Sequence, residues 1–182
     1  MPAGAPLLPY GLLQRASRVT VLLLDVDGVL TDGRIVYAEH GDELKCFDVQ
    51  DGAGLTFWHR VGLQSAIITS RTSRIVKRRA KELRVNFLSQ GRLLKLPAYE
   101  QLLKRLDVSD EHVCAVGDDL MELPILRRVG FAVAVRNAVD EVKRVSHHVT
   151  QRSGGKGAVR EVIDLLLKAK GLWDQVLQQK IC

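Results

Sequence analysis

Four consecutive apolar residues, Val21-Leu22-Leu23-Leu24, run straight into Asp25-Val26-Asp27-Gly28, and few folds accept that junction. A strand without alternation is buried on both faces, the condition of a central strand in a parallel sheet covered by helices. In such sheets ligands bind outside the carboxyl ends of the strands, where this order of residues sets Asp25 and Asp27. The rest of the chain keeps the same rhythm. β-branched and apolar runs at Thr20–Leu24, Ser65–Ile68, Asn86–Leu88, His112–Val116 and Phe131–Val135 alternate with helical patterns. The helices are expected near Gly54–Val61, Ser73–Leu83, Leu96–Leu106, Met121–Arg128, Val139–Lys143 and Ala158–Lys170. The alternation predicts an α/β fold, a parallel sheet flanked by helices. Pro97 and Pro124 fall in first helical turns, where a missing N–H costs little.

One segment breaks the pattern. Ile35–Tyr37, a turn at 38–42 and Glu43–Phe47 read as a β-hairpin (about 34–48) where a helix is expected. Hairpins alone are marginal in water, so this one is expected to pack on something, another subunit included. The 182 residues suit one domain: an extension over 1–18, the domain over 19–170 and a tail over 171–182. In the tail Leu172, Trp173, Val176 and Leu177 form one apolar helical stripe.

Composition narrows the classes further. No apolar run reaches the length of a bilayer span, and the N-terminus lacks the basic and apolar regions of a secretory signal. Cys46, Cys114 and Cys182 are widely spaced, which predicts a reduced, cytoplasmic protein. Of the net charge of +6, much lies in Arg71, Arg74, Lys77, Arg78, Arg79, Lys81 and Arg84, opposed only by Glu82. No aromatic residue lies among them to stack a base, so nucleic acid is not the expected partner. Most of the run reads as a solvated helix face, with one or two cations turned toward a site. The five histidines show no ligand spacing for zinc, and Gly52-Ala53-Gly54 lacks the third glycine of a dinucleotide loop.

Carboxylates one residue apart repel each other unless a cation sits between them. Asp25 and Asp27 are such a pair, and Asp118-Asp119 ends a second apolar run. Hard oxygen donors suit Mg²⁺. Ala66-Ile67-Ile68-Thr69-Ser70-Arg71 ends a third strand in hydroxyls and a cation, and Gln90-Gly91-Arg92-Leu93-Leu94-Lys95 brings a lysine to a helix start. Carboxylates, a hydroxyl and an ammonium group at successive strand ends make a constellation suited to phosphoryl transfer.

DVDGVLTDG, IITSR, QGRLLK and GDDLMELPIL together resemble the four motifs of the haloacid dehalogenase (HAD) superfamily. The hairpin, FDVQDGAGL, VKRRAKEL and RSGGKGAVREVIDLLL are similar to the 3-deoxy-D-manno-octulosonate 8-phosphate (KDO 8-phosphate) phosphatase family over about 19–170. The resemblance implies a Rossmann-like HAD fold with the hairpin and no separate cap domain. It also implies a Mg²⁺-dependent phosphatase of lipopolysaccharide biosynthesis, assembled as a cytoplasmic homotetramer. Carried over, Asp25 is the nucleophile and Asp27 the general acid and base. Thr69 and Lys95 hold the phosphoryl oxygens. Asp25, the Asp27 carbonyl and Asp118 hold the metal, and Asp119 orients a coordinated water. Asp27, Asp51, Gly52, Ser70, Arg71, Arg79 and Lys95 are expected to meet the substrate. The chain departs from the family pattern at Gln50 and Thr56, neutral where a basic residue is frequent, and at Ser70, where glycine is usual. A nine-carbon sugar acid 9-phosphate, another small phosphate ester, or a non-catalytic oligomeric scaffold are the alternatives.

Overall fold

In the computed structural model, which describes residues 9–41 and 43–178, the apolar run becomes β1 (Val21–Leu24), with all four residues buried. Before it stands α1 (Tyr10–Arg18), and after it the hairpin strands β2 (Val36–Tyr37) and β3 (Glu43–Leu44). The chain continues through α2 (Val49–Arg60), β4 (Gln64–Ile68), α3 (Arg74–Glu82), β5 (Phe87–Ser89) and α4 (Lys95–Leu106). It closes with β6 (Val113–Gly117), α5 (Leu123–Leu126), β7 (Phe131–Ala134), α6 (Asp140–Val145), β8 (His148–Val149), α7 (Ala158–Ala169) and α8 (Trp173–Gln178). The expectation about Cys182, and the first eight residues of the expected extension, lie outside the described residues.

The main sheet has the order β5-β4-β1-β6-β7-β8, with every pairing parallel. The chain winds outward from β1 to β5, then returns to β6 and winds the other way. β1 and β6 therefore flank the topological switch point, where the carboxyl ends of the strands open a crevice. Leu24 is in register with both Ile67 and Val116, so the segments after β1, β4 and β6 leave the sheet at one level. α2 packs on β4 and α7, α4 and α5 pack together beside β4 and β6, and Trp58, Tyr99 and Phe131 are fully buried among them. Among the described residues no helix is long and apolar enough to cross a membrane.

Several elements differ from expectation. α2 begins at Val49 rather than near Gly54, because Asp48 accepts a hydrogen bond from the Gln50 N–H (2.6 Å) and caps it. Gly52 and Gly54 mask the helical signal, yet both admit close neighbours. A Cβ on Gly54 would meet Arg160 and Ile163 of α7 at 3.0 and 3.1 Å. α1 lies within the segment expected as an extension; it seats Ala16 in the core, and Ser17 O accepts from Lys170 Nζ at 2.6 Å. In α8 the stripe divides: Val176 is buried, Leu172 and Trp173 lean on the core, and Leu177 is exposed. β8, two residues long with adjacent histidines, carries no readable alternation. The basic face of α3 is solvated at Arg74, Lys77, Arg78 and Lys81, while Val76 and Ala80 face inward.

The Gly-rich loop ahead of α7 braces the segment after β1. Asn137 Nδ2 donates to Gly28 O (3.0 Å), Asn137 Oδ1 accepts from Gly154 N (2.7 Å), and Gly155 N donates to Val29 O (3.0 Å). A Cβ on Gly154 would stand 1.8 Å from Gly28 O. Overpacking of this kind costs about 1–3 kcal/mol or more. Gly154→Ala should therefore lower the melting temperature by roughly 2–12 °C in calorimetry. A Tm within 1 °C of the parent would show that the loops separate freely.

Candidate active site

Burial of acidic side chains decides where chemistry concentrates. Asp25 follows β1, Asp118 follows β6, and Glu122 ends a short 3₁₀ turn (Leu120–Glu122) just beyond. One carboxylate oxygen from each of the three lies within 4.8 Å of the others. Lys95, the first residue of α4, reaches into this group. Its Nζ donates to Asp25 Oδ1 at 2.6 Å and to Glu122 Oε1, and the residue is only 4% exposed. Burial alone would push the ammonium down, but Asp25 and Glu122 together hold it above the usual lysine range.

Three carboxylates and one ammonium leave an excess of negative charge in a dry place. Burial pushes Asp25 up to about 6, with Lys95 opposing and Glu122 adding. Burial, then repulsion from Asp25 and Glu122, pushes Asp118 up to about 8. Groups held so far from their ordinary range mark functional sites. An all-oxygen acidic donor set of this size fits a hard divalent cation such as Mg²⁺. Gly28, at φ +95°, makes the approach possible: a Cβ there would stand 1.9 Å from Asp118 Oδ2.

Glu122 escapes the motif reading, yet it organises the acidic turn. Its Oε2 accepts from Asp118 N (3.3 Å) and Asp119 N (3.0 Å), while Asp119 Oδ1 accepts from Leu120 N (2.7 Å). This is a capping box, and the spacing Asp119-x-x-Glu122 was its signal. Asp119, expected to orient a coordinated water, is exposed, and its side chain also caps this turn.

The other expected residues divide into two groups. Thr69, directly after β4, is 2% exposed; Ser70 Oγ, next to it, donates to Arg92 O (3.3 Å) and contacts Met121 Sδ (3.5 Å). Asp27 is met by Lys45 Nζ from the hairpin and by Arg71 Nε at 3.8 Å, and Glu43 bridges Lys45 and Arg71. Lys45 and Glu43 are further residues that the motifs do not flag. Arg79 stacks over Phe47 (5.6 Å to the ring centre) beside Gly52, whose added Cβ would stand 2.5 Å from an Arg79 nitrogen. Asp51, expected to meet a substrate, is 1% exposed, with Oδ1 accepting from Arg160 N at 2.7 Å in the first turn of α7. There it ties α2 to the N-terminal end of α7, where a carboxyl group satisfies an otherwise unpaired N–H.

Known proteins resemble this chain along its length. Residues 63–163 match the haloacid dehalogenase-like hydrolase family. The 3-deoxy-D-manno-octulosonate 8-phosphate phosphatase KdsC of Escherichia coli K12 is 42% identical over a 185-residue alignment covering 98% of each chain. The same phosphatase from Moraxella catarrhalis, solved with magnesium, phosphate and KDO, has a TM-score of 0.89 at 42% identity, covering 91% of this chain and 95% of that one. A hypothetical protein from Xanthomonas campestris has a TM-score of 0.94 at 37% identity over all of both chains. The buried acidic cluster at the switch point, the hairpin after β1 and a likeness running the length of the chain converge: the chain belongs to the 3-deoxy-D-manno-octulosonate 8-phosphate phosphatase family of haloacid dehalogenase-like phosphoric monoester hydrolases.

Proposed function

We propose that the chain hydrolyses KDO 8-phosphate to KDO and inorganic phosphate, with Mg²⁺, through an aspartyl-phosphate on Asp25. The observation that carries this reading is the buried Asp25–Lys95–Glu122–Asp118 cluster at the crevice between β1 and β6. The family's name for its substrate, and KDO in the Moraxella catarrhalis structure, support the sugar acid.

Asp25 attacks phosphorus, splitting one hard displacement into two easier ones. Lys95, already bonded to Asp25, holds that carboxylate in place and meets negative charge gathering on the phosphoryl oxygens. Thr69 offers a hydroxyl donor directly after β4. Asp27 protonates the departing sugar oxygen and then takes a proton from the attacking water. Asp25, Asp118 and the main-chain carbonyl of Asp27 would hold the Mg²⁺, and Asp119, at the mouth, a water on it. When bound, the ion neutralises charge on the phosphoryl group and on the carboxylates around it.

On the substrate side Asp51, Gly52, Ser70, Arg71 and Arg79 would meet the sugar. Gln50, neutral at a position where the family favours a cation, accepts from Arg152 of the Gly-rich loop at 2.8 Å, so a guanidinium is still present there. A cytoplasmic homotetramer completes the proposal, supported by the exposed apolar hairpin residues Ile35, Val36, Tyr37 and Leu44. Light scattering should then report about four times the 20.2 kDa chain mass.

A Mg²⁺-supplied panel of KDO 8-phosphate, nine-carbon sugar acid 9-phosphates and hexose phosphates tests the substrate. KDO 8-phosphate should lead in kcat/KM by roughly tenfold or more, a difference of about 1.4 kcal/mol, and chelation should remove turnover. A hexose phosphate in first place would overturn the sugar acid and spare the mechanism. A nine-carbon acid in first place would trace to Gln50, Thr56 and Ser70.

A further inference from the structure

The hairpin is exposed at Val36, Tyr37 and Leu44, yet it turns one lysine inward. The Lys45 side chain is 2% exposed, and a lysine is almost never so buried without partners. Its partners are Asp27 Oδ1 and Glu43 Oε1, the latter at 3.3 Å. Glu43 Oε1 also accepts from an Arg71 terminal nitrogen at 2.9 Å, and Arg71 Nε returns to Asp27 Oδ2 at 3.8 Å. Two acidic and two basic side chains thus close a ring that includes none of Asp25, Lys95, Asp118 or Glu122.

We propose that Lys45, backed by Glu43, is a positioning residue that fixes the Asp27 carboxyl group for proton transfer to the departing oxygen. This rests on the reading of Asp27 as general acid. The two Asp27 oxygens are not equivalent. Oδ1 is tied to the Lys45 ammonium, whereas among the described residues Oδ2 faces only Arg71 Nε, at a distance beyond hydrogen bonding. Oδ2 is therefore the oxygen left free to face the departing sugar oxygen. As an Asp25 oxygen bonds to phosphorus, the bond from phosphorus to the sugar oxygen breaks and its electron pair stays on that oxygen. The proton on Asp27 Oδ2 moves to it, leaving a neutral sugar alcohol, an Asp27 carboxylate and an acyl phosphate on Asp25. Without Lys45 the carboxyl group is free to swing onto Arg71, whose fork favours pairing with both oxygens, and Oδ2 leaves the path of the proton. The hairpin is thereby coupled to chemistry through a single side chain.

The test compares two leaving groups. A sugar alkoxide needs the proton, whereas p-nitrophenolate departs as a stable anion. Lys45→Met, Lys45→Arg, Glu43→Gln and Asp27→Asn are assayed on KDO 8-phosphate and on p-nitrophenyl phosphate, with melting curves alongside. Lys45→Met should lower kcat/KM on KDO 8-phosphate roughly 10²-fold, within the range that general acid catalysis contributes; this ratio reports departure of the sugar oxygen and excludes the later water step. The loss on p-nitrophenyl phosphate should be at least about tenfold smaller. Lys45→Arg should recover part of the difference, and Glu43→Gln should show the same selectivity at smaller size. Equal losses in kcat/KM on both esters would overturn the positioning role. If Lys45→Met does not fold, Glu43→Gln decides by the same criterion. Asp27→Asn separates the two readings: an unselective loss in kcat/KM there would overturn Asp27 as the acid itself. A selective loss there, with none in the Lys45 and Glu43 variants, would overturn only the present inference.

Discussion

Asp25→Asn is expected to lose roughly 10⁴-fold or more in kcat on every phosphate ester, the scale of removing a nucleophile, while melting no lower than the parent. The first half follows from chemistry: an amide neither attacks phosphorus as a carboxylate does nor leaves an acyl phosphate for water to cleave. The second half follows from burial. Asp25 is pushed up to about 6 chiefly because its charge is held away from water, with Glu122 adding to the cost and Lys95 offsetting part of it. Asparagine has nearly the same shape and no charge, and Lys95 keeps Glu122 as a partner. An active-site carboxylate kept at the expense of stability is a familiar trade. Phosphate release and differential scanning calorimetry on one preparation measure both halves. Activity within tenfold of the parent would place the nucleophile elsewhere.

Lys95→Met is expected to fail in the opposite way, losing activity and stability together. Removing the ammonium leaves Asp25, Glu122 and Asp118 clustered without a protein cation, all within the 4.8 Å grouping. Breaking a buried pair from one side costs about 3–5 kcal/mol, since the abandoned charge stays buried. At this chain length that corresponds to a fall in Tm of roughly 6–20 °C. Mg²⁺ should restore part of the loss, and should raise the Tm of Lys95→Met more than that of the parent, because it binds the folded state alone. A Lys95→Met protein that melts like the parent and ignores Mg²⁺ would contradict the electrostatic account of the cluster.

The parts of this site legible in the sequence are those held by local geometry. Asp25 and Asp118 follow runs of apolar residues, so topology alone brings them to one end of the sheet. Lys95 follows from the same logic at the start of α4. The parts that escaped depend on contacts between distant segments. Glu122 has a local signature in its capping box, but its second oxygen meets Lys95 from another helix, which no spacing reveals. Lys45 alternates with exposed neighbours as any hairpin residue does, and its burial arises only when the hairpin folds back on Asp27. Asp51 shows how distant packing adds a contact. Its place in a motif suggested a ligand, and the packing of α2 on α7 turns it toward a helix terminus. α1 and β8 were unreadable for a simpler reason. α1 buries only Ala16, and β8 pairs over two residues with β7, so neither leaves a period long enough to detect.

In the proposed mechanism one divalent cation gathers the carboxylates that follow β1 and β6 around a phosphoryl group carried on Asp25. A crystal structure grown with Mg²⁺ and beryllium trifluoride tests it directly. The account predicts a single ion in contact with both Asp25 and Asp118, and beryllium bonded to an Asp25 carboxylate oxygen. An ion held away from Asp118, or beryllium attached to any other residue, would contradict it.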